Sequence, residues 1–471
     1  MTPVGRSRIR DVFVRVLGVI FVVAFWSLGR QVLVLYGERG LLPACPVAGQ
    51  ALVTIFRFHC SDALLWWGTL VGAAFGVTLA LGVVPRWALL GCWLLYASYV
   101  NVGQDFLSFQ WDNLLLESGF FALFVTPGGW RLRDGGAPHP LGVFLMQWLL
   151  FRLYVESALA KLLLGDPTWR DLTAMATYWE TAPLPTWVGW YAHQLPTWAQ
   201  RATSALTLGV ELGVPWLMWG PRRLRLLVFA AMATFQVVVL ATANYGFFNS
   251  LALALCLWVL DDAHLAWLPG SPMPAAPPAP ARRGATVALA LATAVLVPLS
   301  LVPFLPLVPP LRPLTRALLP LRVVLDEVRS VNAYHLFAQM TLVRREAVIE
   351  GSADGTDWRA YELHYAPGDV ERAPSFVAPH QPRVDFQMWF LLLGRGLAPW
   401  FATLLDRVQH DPAAVTPLFA RNPFPDGPPR LVRVAVYRYR FTDAATRART
   451  GAWWSRELEG VSRPLATVVP P

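Results

Sequence analysis

Lys161 is the only lysine among 39 Lys and Arg residues. Arginine keeps its proton in a protein, whereas a desolvated lysine can lose it and act as a base or nucleophile. Lys161 lies in QWLLFRLYVESALAKLLLGDPTWRD (147–171), an apolar stretch that also carries Arg152, Tyr154 and Glu156. Charges inside a membrane are costly, so each needs a partner or a task. Two readings stay open for Lys161: a catalytic amine, or a cation snorkelling near a helix end. A second cluster, QWDNLLLESGFFALF (110–124), holds Gln110, Asp112, Asn113 and Glu117. At the helical period Gln110, Asn113 and Glu117 share one face, with Asp112 well round from it. Gln147, Tyr154, Ser157 and Lys161 line one face of the other stretch, and Arg152 and Glu156 form an i,i+4 pair on the opposite side. Acids on one stretch and bases on the other predict pairing, Glu117 with Arg152 or Asp112 with Lys161. The helix then breaks at Gly165-Asp166-Pro167 into an outer loop carrying Trp169, Arg170, Asp171, Tyr178, Glu180 and His193. Such a break is tolerated mainly beside protein or a cavity, so a polar cavity opening near Asp166 and Asp171 is expected.

Other chemistry has little support. Cys45, Cys60, Cys92 and Cys256 have no CxxC or Cys/His metal spacing, and His193, His335, His364 and His380 are widely separated. No metal site is therefore expected. Cys45 and Cys60 share one loop and could form a disulfide; Cys92 and Cys256 read as packing residues. Asn244, Tyr245, Gly246 and Asn249 read as a tight polar hairpin turn. No nucleophile elbow, phosphate-cradling glycine loop or H-E-x-x-H appears, so no cofactor is called and an enzyme is not favoured.

The elements that hold these residues are membrane helices. Hydrophobic residues make up 55 % of the 471 and charged residues 15 %. The net charge of +9 sits in short gaps between apolar segments, without interleaved aromatics, which excludes a nucleic-acid partner. Nine spans are expected, with eight to ten allowed: 12–36, 63–84, 87–107, 110–126, 141–164, 203–220, 224–242, 246–264 and 285–308. With the N-terminus inside, the inside segments hold Arg6, Arg8, Arg10, Arg15, Arg86, Arg131, Arg133, Arg222, Arg223, Arg225, Arg282 and Arg283. The outside loops, including the long 37–62 and 165–202, hold only Arg39, Arg57, Arg170 and Arg201. That is a positive-inside pattern, and an odd span count puts the C-terminal part outside. The domain reading is a helical bundle over 1–310, a linker at 311–320, and a soluble β-rich, sandwich-like domain with helical insertions over 321–471. EAVIEGSADGTDWRAYELHY (346–365) predicts two strands around a turn at Ser352–Asp357. RLVRVAVYRYRFT (430–442) alternates, with Val432, Val434 and Val436 on one face and Ala435, Tyr437, Tyr439 and Phe441 on the other. The aromatics of 376–400 and 430–441 are either that domain's core or a contact surface.

Several stretches then resemble the lipase maturation factor family. They include QDFLSFQWDNLLLESGFFALF (104–124), FRLYVESALAKLLLGDPTWRDLTAMATYWETAPLPTWVGWYAHQLP (151–196), NYGFFNSLALALCLWVLDD (244–262), NAYHLFAQMT (332–341), FVAPHQPRVDFQMWF (376–390) and GAWWSRELEG (451–460). His335 stands where that family's pattern has glycine. The resemblance implies an endoplasmic-reticulum type of membrane protein that helps secreted lipases fold, with its C-terminal part meeting the client. Partners expected on this basis are membrane lipid and a client protein, a lipase among them, bound through 321–471. The arginine bias and missing glycosylation sites suggest a bacterial plasma-membrane member. Tyr154-x-x-x-Ala158-x-x-Lys161 with Trp169 is also similar to a helix of the vitamin K-dependent γ-carboxylase-like (HTTM-like) membrane proteins, in which a helix lysine belongs to the active site. This second resemblance implies the alternative, a membrane enzyme acting on a lipid-like or peptide substrate around Lys161. EGSADGTDW is similar to a turn of discoidin-like β-sandwiches.

Overall fold

The computed structural model describes residues 5–266, 283–307, 309–394 and 397–466. The expected inside segment 265–284, with Arg282, falls mostly outside these residues. The chain is a polytopic helical bundle followed by a β-rich region of antiparallel strands. Each expected span has a helix at its place. Among the described residues five helices are long and apolar enough to cross a membrane: Ser7–Gly29, Asp62–Leu81, Pro140–Leu163, Arg222–Thr242 and Arg283–Leu301. Local chemistry sets their ends. The Ser61 hydroxyl accepts from the Leu64 amide at 3.3 Å, and Gly82 closes the same helix at φ +74°. Pro140 opens the fifth expected span, where its missing N–H costs nothing. The first two helices pack backbone to backbone, because a Cβ on Gly18 would lie 2.5 Å from the Ala80 nitrogen. Small residues permit this approach in lipid.

Two expected spans differ. Over 203–220 the Thr197–Leu208 helix passes into a π-helical turn, Gly209–Gly213, and then a 3₁₀ turn, Val214–Trp219. Two glycines and Pro215 weaken regular helix there. Over 246–264 the helix is only Phe248–Cys256, extended by a 3₁₀ turn. The 165–202 loop is built of short helices, Pro167–Arg170, Ala174–Thr181 and Trp187–His193. Cys45 and Cys60 are disulfide-bonded, with Cα atoms 5.4 Å apart, and Cys92 and Cys256 are buried free thiols.

In the C-terminal region β1 (Arg344–Ser352), β2 (Arg359–Ala360), β5 (Leu431–Phe441) and β6 (Trp454–Val461) form one antiparallel sheet in the order β2-β1-β5-β6. β7 (Leu465–Ala466) also pairs with β5, while β3 (Glu362–Leu363) pairs with β4 (Phe419–Arg421) in a separate ribbon. The β1–β2 turn is held by the Asp354 carboxylate, which accepts from the Thr356 and Asp357 amides at 2.8 and 2.9 Å. Gly355 supplies the positive φ of +85°. The β-rich region is thus one main sheet and a two-stranded ribbon with helical insertions: Arg383–Leu391 packs on β1 and Pro399–His410 on β5. β5 does not bury a single face. Val432 and Ala435, on opposite faces, are both fully buried, and the register shifts between Val436 and Tyr437.

The β-rich region shares its core with the bundle. Phe386 lies 5.2 Å from Phe109 and 4.8 Å from Trp111, and Trp400 lies 5.4 Å from Phe106. The aromatics of 376–400 therefore divide: Phe386 and Trp400 are buried, Phe376 and Phe390 exposed. Residues 312–320 of the expected linker lie within a helix, Arg312–Glu327. The loops sort to opposite ends of the bundle. At one end Arg6 reaches Leu260, Arg8 reaches Leu265, and Arg10 reaches Gly136. At the other, Arg39 pairs with Asp411, Arg344 reaches Glu180 and Asn244 reaches Ser375.

Candidate functional site

Asp112 sits in the first turn of the Gln110–Ala122 helix, fully buried. Its partner is Arg383, which opens the Arg383–Leu391 helix. The guanidinium grips both carboxylate oxygens, Nη1 to Oδ2 at 2.7 Å and Nη2 to Oδ1 at 2.8 Å. Tyr96 donates to Oδ1 at 2.5 Å, Arg383 also donates to the Phe106 carbonyl, and the Arg383 amide donates to Gln31 Oε1 at 3.0 Å. A two-pronged guanidinium–carboxylate pair fixes orientation as well as position. Asp112 is thus corrected away from Lys161.

The second cluster joins Glu117, Arg152 and Glu156, as the helix faces predicted. Arg152 pairs with Glu117 and lies 3.5 Å from Glu156. What the sequence did not show is the segment that completes it. Arg152 donates to the Asn332 carbonyl at 2.9 Å. Glu117 accepts from the Asn332 amide at 2.9 Å and the Tyr334 hydroxyl at 2.7 Å, and Glu156 from the Tyr334 amide at 3.1 Å. Gln110 accepts from the His335 amide, and the Asn113 carbonyl from the Asn332 side chain. The polar face of Gln110–Ala122 therefore receives residues 332–335.

The outer-loop residues make the same joint. Asp166 caps its short helix through Thr168 and accepts from the Met340 amide at 2.7 Å. Burial raises its carboxyl, but the bonds from Thr168 and Met340 outweigh that and hold it below the usual range. Trp169 donates to the Phe337 carbonyl at 2.8 Å. Phe337 itself stands at φ +52°, a strained backbone for an aromatic residue. Glu180 accepts from the Phe441 amide at 2.7 Å, with His193 3.8 Å away. Arg170 and Asp171 are exposed and take no part. The polar turn at 244–249 is more than a hairpin. The Asn244 amide donates to Leu184 and Ser375 carbonyls, and its oxygen accepts from the Val377 and Ala378 amides. Tyr245 meets Tyr178, hydroxyl to hydroxyl, at 2.9 Å.

Lys161 is paired elsewhere. It donates to both oxygens of Glu211, at 3.0 and 2.8 Å, with the Trp169 ring 5.1 Å away. Glu211 was missed; its signal was a single acid between Gly209 and Gly213 in an otherwise apolar span. The pair lines a cavity of about 470 Å³, to which Tyr154, Ser157, Trp169 and Tyr178 also contribute. Gln147, on the same helix face, is bonded instead to Trp258 and Trp219.

His380 adds a pH-sensitive contact. Ser27 Oγ accepts from the Gln381 amide at 2.9 Å, which turns its proton toward His380 Nδ1, also 2.9 Å away. Burial, reinforced by Arg30 and Arg383, pushes the imidazole down to about 4. The folded value lies below the unfolded ~6.5, so this stability is present above that pH and is lost as pH falls toward 4. The melting temperature should therefore drop across that window. His380→Gln, which keeps an acceptor for Ser27, should flatten that part of the profile; an unchanged profile would show that His380 does not titrate there.

Residues 8–267 match the lipase maturation factor transmembrane domain, and residues 330–464 the lipase maturation factor C-terminal domain. The chain is 32 % identical to human lipase maturation factor 2 over 95 % of its length and 81 % of that protein's. It is 30 % identical to the Xenopus laevis protein of the same name, over 96 % and 81 %. It is 33 % identical to bovine lipase maturation factor 1, over 96 % and 87 %. No solved structure matches.

Proposed function

The chain belongs to the lipase maturation factor family, and we propose that it is a membrane-held maturation factor whose C-terminal region engages a client protein, a lipase first among them. The relatives' names supply the client class. The observation that carries the reading for this chain is how its buried charges are used. Asp112, Glu117, Arg152 and Glu156 between them hold Asn332, Tyr334 and Arg383 against the bundle. Carboxylates and guanidinium bonded in this way make a rigid platform rather than a free acid or base to work on a substrate.

The chain is an integral membrane protein. We further infer a bacterial plasma membrane, with the N-terminus cytoplasmic and the C-terminal region extracytoplasmic. Two observations favour this orientation. The bundle loops at the end that carries the C-terminal region, 37–62 and 165–202, hold only Arg39, Arg57, Arg170 and Arg201. The Cys45–Cys60 disulfide lies in a loop at that same end, which fits an oxidising compartment.

The test is maturation itself. Cells lacking the chain should secrete a co-produced lipase at normal protein levels but with little activity, and the full chain should restore it. Equal specific activity with and without the chain would remove the proposal. The cavity beside Lys161 favours a second reading, a membrane enzyme. Lys161→Arg separates the two, because arginine keeps a cation for Glu211 but cannot offer a neutral amine. Maturation should survive this substitution nearly unchanged; loss of function in a variant that still folds would favour the enzyme.

A further inference from the structure

Neither the joint nor the cavity beside Lys161 uses the body of the Arg312–Glu327 helix. Its residues sort by the helical period, about 100° per residue. Leu314, Ala317, Leu318 and Leu325 fall within one third of the wheel, and Arg312, Thr315, Arg316, Asp326 and Glu327 on the opposite side. Within 311–320 Leu319 is the one apolar residue on the polar side. Such segregation belongs to a helix lying between an apolar medium and water. The two ends of the apolar stripe have different surroundings. Leu325 packs against the core of the bundle. Leu314 is 47 % exposed, Leu311 just before the helix 40 %, and Ala317 is exposed as well. The far end is pinned, because Asn101 donates to the Glu327 carbonyl at 3.0 Å and accepts from Arg329 Nε at 3.2 Å. The first turns therefore run out from the bundle with their apolar side largely uncovered by the described residues.

The preceding chain identifies what covers that side. Arg283–Leu301 is long and apolar enough to cross a membrane. Residues 302–311, VPFLPLVPPL, are wholly apolar and continue it, so that Arg312 is the first charged residue after Arg283. The chain leaves the hydrocarbon where charge returns, which is where this helix starts. An amphipathic helix beginning at that boundary lies in the plane of the bilayer surface, its apolar side in the acyl boundary and its polar side toward headgroups and water. Arg312 and Arg316 are exposed, and no acid precedes Asp326 in the helix. Cations so placed complement lipids of net negative charge. We propose that the first turns of Arg312–Glu327 dock on an anionic phospholipid surface, with Leu314 and Ala317 in the acyl boundary and Arg316 at the headgroup phosphates. This holds whether or not the chain matures a client.

The test uses the full chain in nanodiscs of phosphatidylcholine and phosphatidylglycerol, labelled at one introduced cysteine. The free Cys92 and Cys256 are buried, so the parent gives the labelling background. A nitroxide at Leu314→Cys should be relaxed by oxygen, which concentrates in lipid, and hardly by a neutral water-soluble nickel chelate. At Arg316→Cys the order should reverse. Ala317→Cys repeats the apolar-side reading should Leu314→Cys fold poorly. A fluorescent dye at Leu314→Cys then reports the lipid in contact. Doxyl-bearing phosphatidylglycerol should be favoured over doxyl-bearing phosphatidylcholine roughly fivefold, the effect of one arginine at a charged membrane surface. Adding Arg316→Gln should remove most of that preference while the melting temperature holds. Access of the nickel chelate at 314, or shielding there from both relaxing agents as a covering protein would give, would overturn the proposal. Equal quenching by the two lipids, or a preference unmoved by Arg316→Gln, would overturn it as well.

Discussion

Arg383→Met is expected to release the C-terminal region from the bundle. The change leaves the Asp112 carboxylate buried without its cation, with only the Tyr96 hydroxyl still donating to it. Removing one partner of a buried pair costs ~3–5 kcal/mol, a large share of a typical stability of roughly 5–15 kcal/mol. The Phe106 carbonyl loses its guanidinium donor as well. Thermal unfolding in nanodiscs should show the loss, and limited proteolysis should cut first within 376–400. Asp112→Asn on the same background should recover part of it, because the orphaned charge is gone. If Arg383→Met melts like the parent, the pair does not hold the region in place. If the double variant is no better than the single, the cost does not come from a stranded charge.

Arg152→Met should be as severe or worse. Two carboxylates, Glu117 and Glu156, then face each other across a site that is almost fully buried. Arg152 also donates to the Asn332 carbonyl, so the 332–334 segment loses an anchor at the same moment. The expected cost is again ~3–5 kcal/mol from the unpaired charge, with like-charge repulsion added. Glu156→Gln should be mild by contrast: its oxygen sits 3.5 Å from Arg152, and a glutamine carbonyl can still accept from the Tyr334 amide. Arg152→Lys should fall between, since one ammonium cannot hold the fork that serves Glu117, Glu156 and Asn332 together. The ranking of the three melting temperatures is the check. Equal melting temperatures for Arg152→Met and Glu156→Gln would show that the cluster does not depend on its cation.

The sequence placed most of the site residues and few of their partners. Charges in apolar helices are conspicuous, and the helical period sorted Gln110, Asn113 and Glu117 to one face. The same period set Arg152 apart from Lys161, so the Glu117–Arg152 pair was legible. Asp112 was not, because its partner lies in FVAPHQPRVDFQMWF, far along the chain and outside the expected spans. Periodicity gives the face of an element and says nothing about which distant segment covers it. Asn332 and Tyr334 were hidden for the same reason, and because part of their contribution comes from backbone amides, which carry no side-chain signal. Glu211 was legible in principle. It stands alone in a span that two glycines and a proline keep from forming regular helix, and π-helical turns often mark functional sites. The sheet misled at β5, where a register shift between Val436 and Tyr437 interrupts the alternation, and helices rather than a second full sheet cover it.

Hydrogen exchange of the unaltered protein in nanodiscs tests most directly whether the buried charges hold the C-terminal region against the bundle. The Asn332, Tyr334 and Met340 amides lie outside any strand or helix, yet donate to Glu117, Glu156 and Asp166. They should exchange as slowly as the paired amides of β1 and β5. Rapid exchange at these amides beside a protected sheet would mean that the segment is not docked, and would contradict the proposed platform.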